Sequence, residues 1–349
     1  MTRDLLLKNI LICLIIIVSF LGFYILRIGS FIFIPVIISF FLLVLFSGVY
    51  HFSLKFLKNK YLSIFATFGI FILFFIVVGF IITTQVGSFL DNSEKFKEGF
   101  GNIINFAEKI SSNLGIDLKQ YLNLEYLKGF LSKLNFSAVG KNIYQTLTNM
   151  ASFIGTTFIF LIFIFLERKN FKQKAKYLFD IKGFNKVQNI YGRIHTDLNV
   201  YFAAKFFLAL FNGVVATIIM SLFGLDFALT FGLLVFIFDF IPAVGGIIAL
   251  GLPFIYSLVT FDNVGMSFFL LLALNIPQFI TGNFIEPKVM GDRLNLSSFV
   301  LIVALLFWYQ FWGIIGAFLS TPIMATINII LSKFESTKFI STLLSKNGK

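Results

Sequence analysis

Apolar residues fall in long blocks along this chain rather than in alternation, and the blocks divide it into eight hydrophobic units over 10–26, 28–50, 61–86, 142–166, 206–225, 227–261, 263–285 and 294–332. A straight helix covers the bilayer core with about 20 residues, so six of these units fit single spans. The other two are too long for one crossing and crowded for two. The stretch 294–332 runs 39 residues without a charge, and 227–261 is interrupted only by Asp239. Both are broken near the middle, the first of them in sequence by Ile-Pro-Ala-Val-Gly-Gly at 241–246 and the second by Gln310, Gly313, Gly316 and Thr321-Pro322. Paired Gly/Pro-interrupted segments are what secondary transporters use to build a midplane site. The pattern predicts an all-α polytopic membrane protein with about eight hydrophobic transmembrane units, two of them broken or re-entrant, plus amphipathic helices. Spacing alone leaves open whether each broken stretch crosses or returns to its own side.

The amphipathic helices are expected in the polar stretches. Phe89, Phe96, Phe100, Ile103, Ile104, Ala107, Ile110 and Leu114 recur near helical spacing among Lys and Glu, and Leu118, Tyr121, Leu122, Phe130, Leu131 and Leu134 continue the pattern. Such a face lies on the membrane surface, packs on the bundle or forms a contact between copies; the last two are favoured, and a homo-oligomer is expected. A second run, through Phe184, Val187, Ile190, Ile194, Leu198, Tyr201 and Phe202, feeds into the fifth span. The chain therefore divides into N-terminal spans (1–86), an extracytoplasmic amphipathic segment (87–141), a span with a basic cytoplasmic helical segment (142–205), a transport core with broken helices (206–332) and a cytoplasmic tail (333–349).

Composition agrees, with 58% hydrophobic and 13% charged residues. The net charge of +12 raises nucleic acid as a partner, but the charges lie between the apolar blocks, where they orient the chain and bind no nucleic acid. Segment 51–60 carries Lys55, Lys58 and Lys60 with no acid, and 167–205 carries nine basic residues against three acids, so both face the cytoplasm. The balanced 87–141 falls on the opposite side. One cysteine, Cys13, allows no disulfide within one chain. His51 and His195 sit in separate basic segments and make no metal pair. Neither a phosphate-cradling Gly-x-x-x-x-Gly-Lys loop nor a nucleophile elbow is present, so the chain reads as neither ATPase nor enzyme and implies no cofactor.

Two places carry candidate chemistry. Asp239 stands three residues before Pro242, which lacks a backbone donor, and before Gly245-Gly246, which tolerate unwound geometry. An intramembrane acid is costly and usually serves an ion or substrate path. In the seventh block, Asn275, Gln278 and either Thr281 or Gly282 follow at steps of three or four residues, giving a polar stripe that ends at Asn283, Glu286 and Pro287. Lys288, Asp292 and Arg293 beyond it form either a salt-bridged gate or a solvated turn.

Motifs in these places resemble a known family. Residues 201–209, the run Phe223-Gly224-Leu225-Asp226-Phe227-Ala228-Leu229, the element from Asp239 to Gly246, the run from Gly282 to Leu296, and Gly313, Gly316 and Pro322 resemble the core of the autoinducer-2 exporter-like permease family, as does Leu166-Glu167-Arg168 after the fourth span. The resemblance covers most of the chain. It implies an inner-membrane permease of eight units, in a family whose members are linked to export of a signalling molecule or to sodium/proton exchange. Asp226 and Trp308-Tyr309 depart from the family pattern, and bulk at 308–309 would narrow a pathway there. The expected function is ion-coupled alternating access moving a small polar molecule across the cell inner membrane, with membrane lipid and a small-molecule or ion substrate as partners. A sodium/proton antiporter or a channel-like oligomer is the alternative.

Overall fold

A computed structural model of the chain describes residues 3–91, 136–178, 181–242, 244–261, 263–290, 294–346 and 348. All regular structure among the described residues is helical. The first five apolar blocks become α1 (Arg3–Ile28), α2 (Ser30–Leu57), α3 (Lys60–Asp91), α4 (Phe136–Leu178) and α5 (Ile181–Leu222). Their large apolar side chains, Phe31 and Phe65 among them, remain exposed, because lipid rather than water solvates the outer faces. The basic segment after α4 and the fifth span are joined in one helix, α5, as the apolar spacing through Phe202 predicts. The amphipathic stretch expected over 87–141 lies outside the described residues from 92 to 135.

Two compact units emerge, one of Met1–Ser47, Ser152–Leu198 and Asn295–Lys349, the other of Gly48–Ala151 and Asn199–Leu294. In the second unit the broken stretch 227–261 becomes α6 (Ala228–Phe238) and α7 (Gly245–Thr260). At 1.5 Å per residue these are about 16 Å and 24 Å long, shorter than the ~30 Å hydrocarbon core. They pack against each other as a re-entrant hairpin. A Cβ added at Gly245 would run into the carbonyl of Phe238, so only a residue without a side chain lets α7 start directly over the last turn of α6. After the hairpin come α8 (Val264–Ile280), a single π turn (Thr281–Ile285) and α9 (Glu286–Met290). Ala216 and Met220 from α5, Val235 from α6, Ala249, Leu250 and Tyr256 from α7, and Leu270 and Leu274 from α8 form one buried core.

In the first unit, α10 (Ser298–Leu331) is interrupted at Trp312 (φ −129°, ψ 19°) and Gly313 (φ 62°, ψ −145°). The positive φ suits glycine. Its two arms fold back on each other: the Asn328 amide donates to the Asn295 carbonyl at 3.3 Å, whereas 33 residues of straight helix would hold them about 50 Å apart. A Cβ at Gly316 would likewise strike the Trp308 carbonyl. The tip is held where the Trp312 indole N–H donates to the Leu26 carbonyl of α1 at 3.2 Å. Both broken stretches are thus hairpins that return to their own side, which resolves the choice that charge and spacing leave open.

The mouth of this second hairpin is latched by α11 (Lys338–Leu344). The Ser341 hydroxyl donates to Asn328 Oδ1 at 2.7 Å, and the Ser297 amide donates to the Leu344 carbonyl at 2.9 Å. Asn328 is buried and bridges all three segments. Asn328→Ala leaves Ser341 only its longer 3.4 Å bond to the Asn328 backbone carbonyl and removes the tie to Asn295, a loss of about 1–3 kcal/mol. The thermal unfolding midpoint of the purified protein is expected to fall, and Ser341→Ala to lower it by less.

Six helical stretches among the described residues are long and apolar enough to cross a membrane, Ser30–Leu57, Lys60–Thr84, Asn149–Glu167, Gly183–Leu222, Val264–Val289 and Ser298–Leu331, of which the last is folded into the hairpin just described. The protein is an all-α, multi-pass membrane protein.

Candidate polar site at the tip of the first hairpin

The site lies inside the second unit, where the turn after α6 meets α5 and the end of α8. The buried face of α5 runs through Phe202, Lys205, Ala209, Asn212 and Ala216 at steps of three and four residues, with Tyr201 beside it. A lysine and an asparagine therefore stand in an otherwise apolar stripe, with 8% of the Lys205 side chain exposed. The Lys205 ammonium donates to both oxygens of Glu286, at 3.0 Å to Oε1 and 2.9 Å to Oε2. It also stands 3.8 Å from Asp239 Oδ2.

Asp239 is the residue that ends α6 and is itself buried. A carboxylate there faces the negative end of the helix dipole, so its partners must come from elsewhere. Gln278 supplies the strongest, its Nε2 donating to Asp239 Oδ1 at 2.7 Å, and Asn212 Nδ2 lies at 3.5 Å from the same oxygen. Asn212 is tied in turn to Thr281, with Nδ2 donating to the hydroxyl oxygen at 2.9 Å. In ionised form, one ammonium and two carboxylates leave one negative charge uncompensated. Burying such charges costs several kcal/mol per ion unless pairing and hydrogen bonds offset it.

Glu286 reaches this cluster because of the π turn. The Glu286 amide bonds back to the Thr281 carbonyl, five residues away, so the turn inserts one extra residue. Glu286 consequently occupies the face that Ile285 would take in an uninterrupted α-helix, in line with Gln278 and Thr281. Pro287 follows directly and lacks the donor needed to continue regular helix hydrogen bonding. Such one-turn wide segments recur at functional sites.

Of the predicted residues, Asp239, Gln278 and Glu286 are brought together. Gly246 lies beside them, since a Cβ there would meet the Gln278 amide at an ordinary 3.4 Å. Asn275 and Asn283 are exposed and bond back to the carbonyls of Leu271 and Phe279 at 2.8 Å and 3.0 Å, so the single polar stripe expected along the seventh block splits into an inward and an outward set. Pro287 is exposed. Pro242 shapes the hairpin turn, in which Phe238 O, Ile241 O and Pro242 O accept from the backbone amides of Ile241, Gly245 and Val244. What the turn presents is the Asp239 side chain. Glu286 pairs with Lys205, not Lys288, which is exposed; Asp292 and Arg293 lie outside the described residues. Trp308 is buried and Tyr309 half exposed.

Lys205, Asn212 and Thr281 complete the cluster. Lys205 escapes a reading of charge alone because it closes the basic segment 167–205 and counts there as an orientation signal. The available clue was its helical register with buried Leu198, Tyr201 and Phe202.

A family model described as AI-2E family transporter matches residues 11–336. A Borreliella burgdorferi protein named "Putative transport protein" is 26% identical over 97% of this chain and 90% of its own length. The AI-2 transport protein TqsA of Escherichia coli is 25% identical over 69% of this chain and 68% of its own. A sodium-lithium/proton antiporter of Halobacillus andaensis is 23% identical over 74% of this chain and 78% of its own.

Proposed function

The chain belongs to the AI-2E transporter family, a family of transport proteins rather than enzymes, and from that premise we propose that it moves a small polar molecule across the cytoplasmic membrane by alternating access, coupled to a proton or sodium gradient through Asp239 and Glu286. The observation that carries the coupling is the Lys205–Glu286–Asp239 cluster at the tip of a re-entrant hairpin, with Lys205 and Asp239 buried and Glu286 partly exposed. An excess negative charge placed among apolar helices is expensive unless a cation visits it. The transport core is 206–332 with Lys205 added at its edge. Neutral partners such as Gln278, Asn212 and Thr281 suit a hydroxylated solute, and the name of the Escherichia coli relative makes autoinducer-like polyols the first candidates. Assembly of copies into a homo-oligomer belongs to the same proposal.

A second reading, cation/proton exchange without an organic solute, draws on the same uncompensated charge and on the name of the Halobacillus relative. Purified protein in vesicles distinguishes the two. Polyol movement that follows an imposed pH or sodium gradient supports the first; sodium-dependent proton movement that no polyol alters supports the second. Solute flux insensitive to either gradient would sink the coupling and leave a facilitator.

A further inference from the structure

Resting on the ion-coupled reading, we propose that Lys205 is a tethered counter-cation: its ammonium holds the place at Glu286 that a monovalent cation takes, and it shifts to Asp239 when that cation arrives. Three observations converge on this role. First, the ammonium is seated on both Glu286 oxygens at 3.0 and 2.9 Å, the seat a small cation would use. Second, a vacated Lys205 has somewhere to go, because Asp239 Oδ2 is only 3.8 Å away and an ammonium on a four-carbon stem has three rotatable donors. Third, exposure is graded: 29% of the Glu286 side chain is exposed, against 8% for Lys205 and 6% for Asp239. Glu286 is thus the outermost of the three groups, with Lys205 and Asp239 behind it.

Charge counting fixes the valence. With Lys205 on Glu286, the site holds one neutral pair and one carboxylate, Asp239, supported by the Gln278 amide at 2.7 Å. With a monovalent cation on Glu286 and Lys205 on Asp239, it holds two neutral pairs. A divalent cation would leave a buried positive excess, which the low-dielectric surroundings disfavour. In both arrangements the ammonium keeps a carboxylate partner, so the exchange never leaves the buried ammonium unpaired. Among the described residues, the charged groups facing Lys205 are Glu286 from α9 and Asp239 from the hairpin turn.

The test is equilibrium binding of radioactive sodium to the purified full-length protein in detergent at one fixed pH. Removing the competitor in Lys205→Gln is expected to tighten sodium binding about tenfold or more and to slow turnover, since release loses its displacing group. Lys205→Arg keeps a fixed charge whose rigid fork stays on Glu286, so sodium binding weakens. Asp239→Asn removes the second berth and weakens it too. Because Lys205→Gln leaves two carboxylates uncompensated, the double variant Lys205→Gln with Asp239→Asn carries the same test at unchanged net charge, and it too is expected to bind more tightly than the parent. A plain structural brace predicts the reverse, rescue by Arg and loss of folded protein with Gln. The role of Lys205 is overturned if the Gln and double variants bind sodium no more tightly, if Arg matches the parent, or if calcium competes as well as lithium. Such a result in a protein whose transport still follows an imposed gradient leaves the ion-coupled reading intact, whereas a parent protein indifferent to every gradient overturns both.

Discussion

Glu286→Gln is expected to lower gradient-driven transport by about tenfold or more, within the range of a typical coupling free energy, while the protein remains folded in the membrane. The substitution keeps the size of the side chain and one acceptor oxygen for Lys205, but removes the charge. Losing one partner of a buried pair commonly destabilises by about 3–5 kcal/mol. Here the loss is expected to be smaller, because Asp239 stands close enough to take the ammonium over and Glu286 is partly exposed. Asp239→Asn has the complementary effect: it spares the short Lys205–Glu286 pair and alters the Gln278 contact, so some gradient-driven transport survives. Flux in vesicles under imposed pH and sodium gradients reads both variants. Unchanged pH and sodium dependence in the two single variants and in their combination would remove the carboxylates from coupling.

The hairpin turn gives the second large effect, and it separates two adjacent glycines. Gly245→Leu puts a Cβ into the carbonyl of Phe238, backbone against backbone, so α7 must move off α6. Overpacking of this kind costs about 1–3 kcal/mol or more, and both the yield of folded protein and transport are expected to drop. At Gly246 the first atom met is the Gln278 amide at 3.4 Å. Gly246→Ala is therefore expected to be tolerated, whereas Gly246→Leu pushes Gln278 from Asp239 and impairs transport without loss of folded protein. Amounts of detergent-solubilised monodisperse protein, set beside vesicle flux, separate these outcomes. Equal folded yields for Gly245→Leu and Gly246→Ala would contradict the close approach at residue 245.

Much of this architecture is legible in the order of residues, because a lipid solvent imposes simple rules. Backbone groups cannot be left unsatisfied in hydrocarbon, so every uninterrupted apolar block must become helix, and a block broken by Pro and Gly must bend. The eight blocks, the two interruptions and the polar residues Asp239, Gln278 and Glu286 within or beside them follow from that reasoning. Family membership is legible as well, since the Ile-Pro-x-x-Gly element at 241–245 and the Asn-x-x-x-Pro-x-x-x-Gly element at 283–291 are local and stand in register with the hydrophobic units around them.

Tertiary structure alone decided the rest. Whether a bent block crosses or returns depends on where its far end finds a partner, and Asn328 finds Asn295 while Gly245 settles over Phe238. Neither contact follows from spacing. The face on which Glu286 falls depends on one π turn, a shift of a single residue that helical periodicity cannot anticipate, and that shift separates Glu286 from Asn283 and joins it to Thr281. The partner of Glu286 was likewise decided in three dimensions: nearby Lys288 stays exposed, and Lys205, 81 residues earlier, supplies the charge. Sequence determines which groups must be buried or solvated because transfer free energies belong to individual residues. Which buried charges neutralise one another is set by distances of a few ångströms between elements far apart in the chain, and those exist only once the helices have packed.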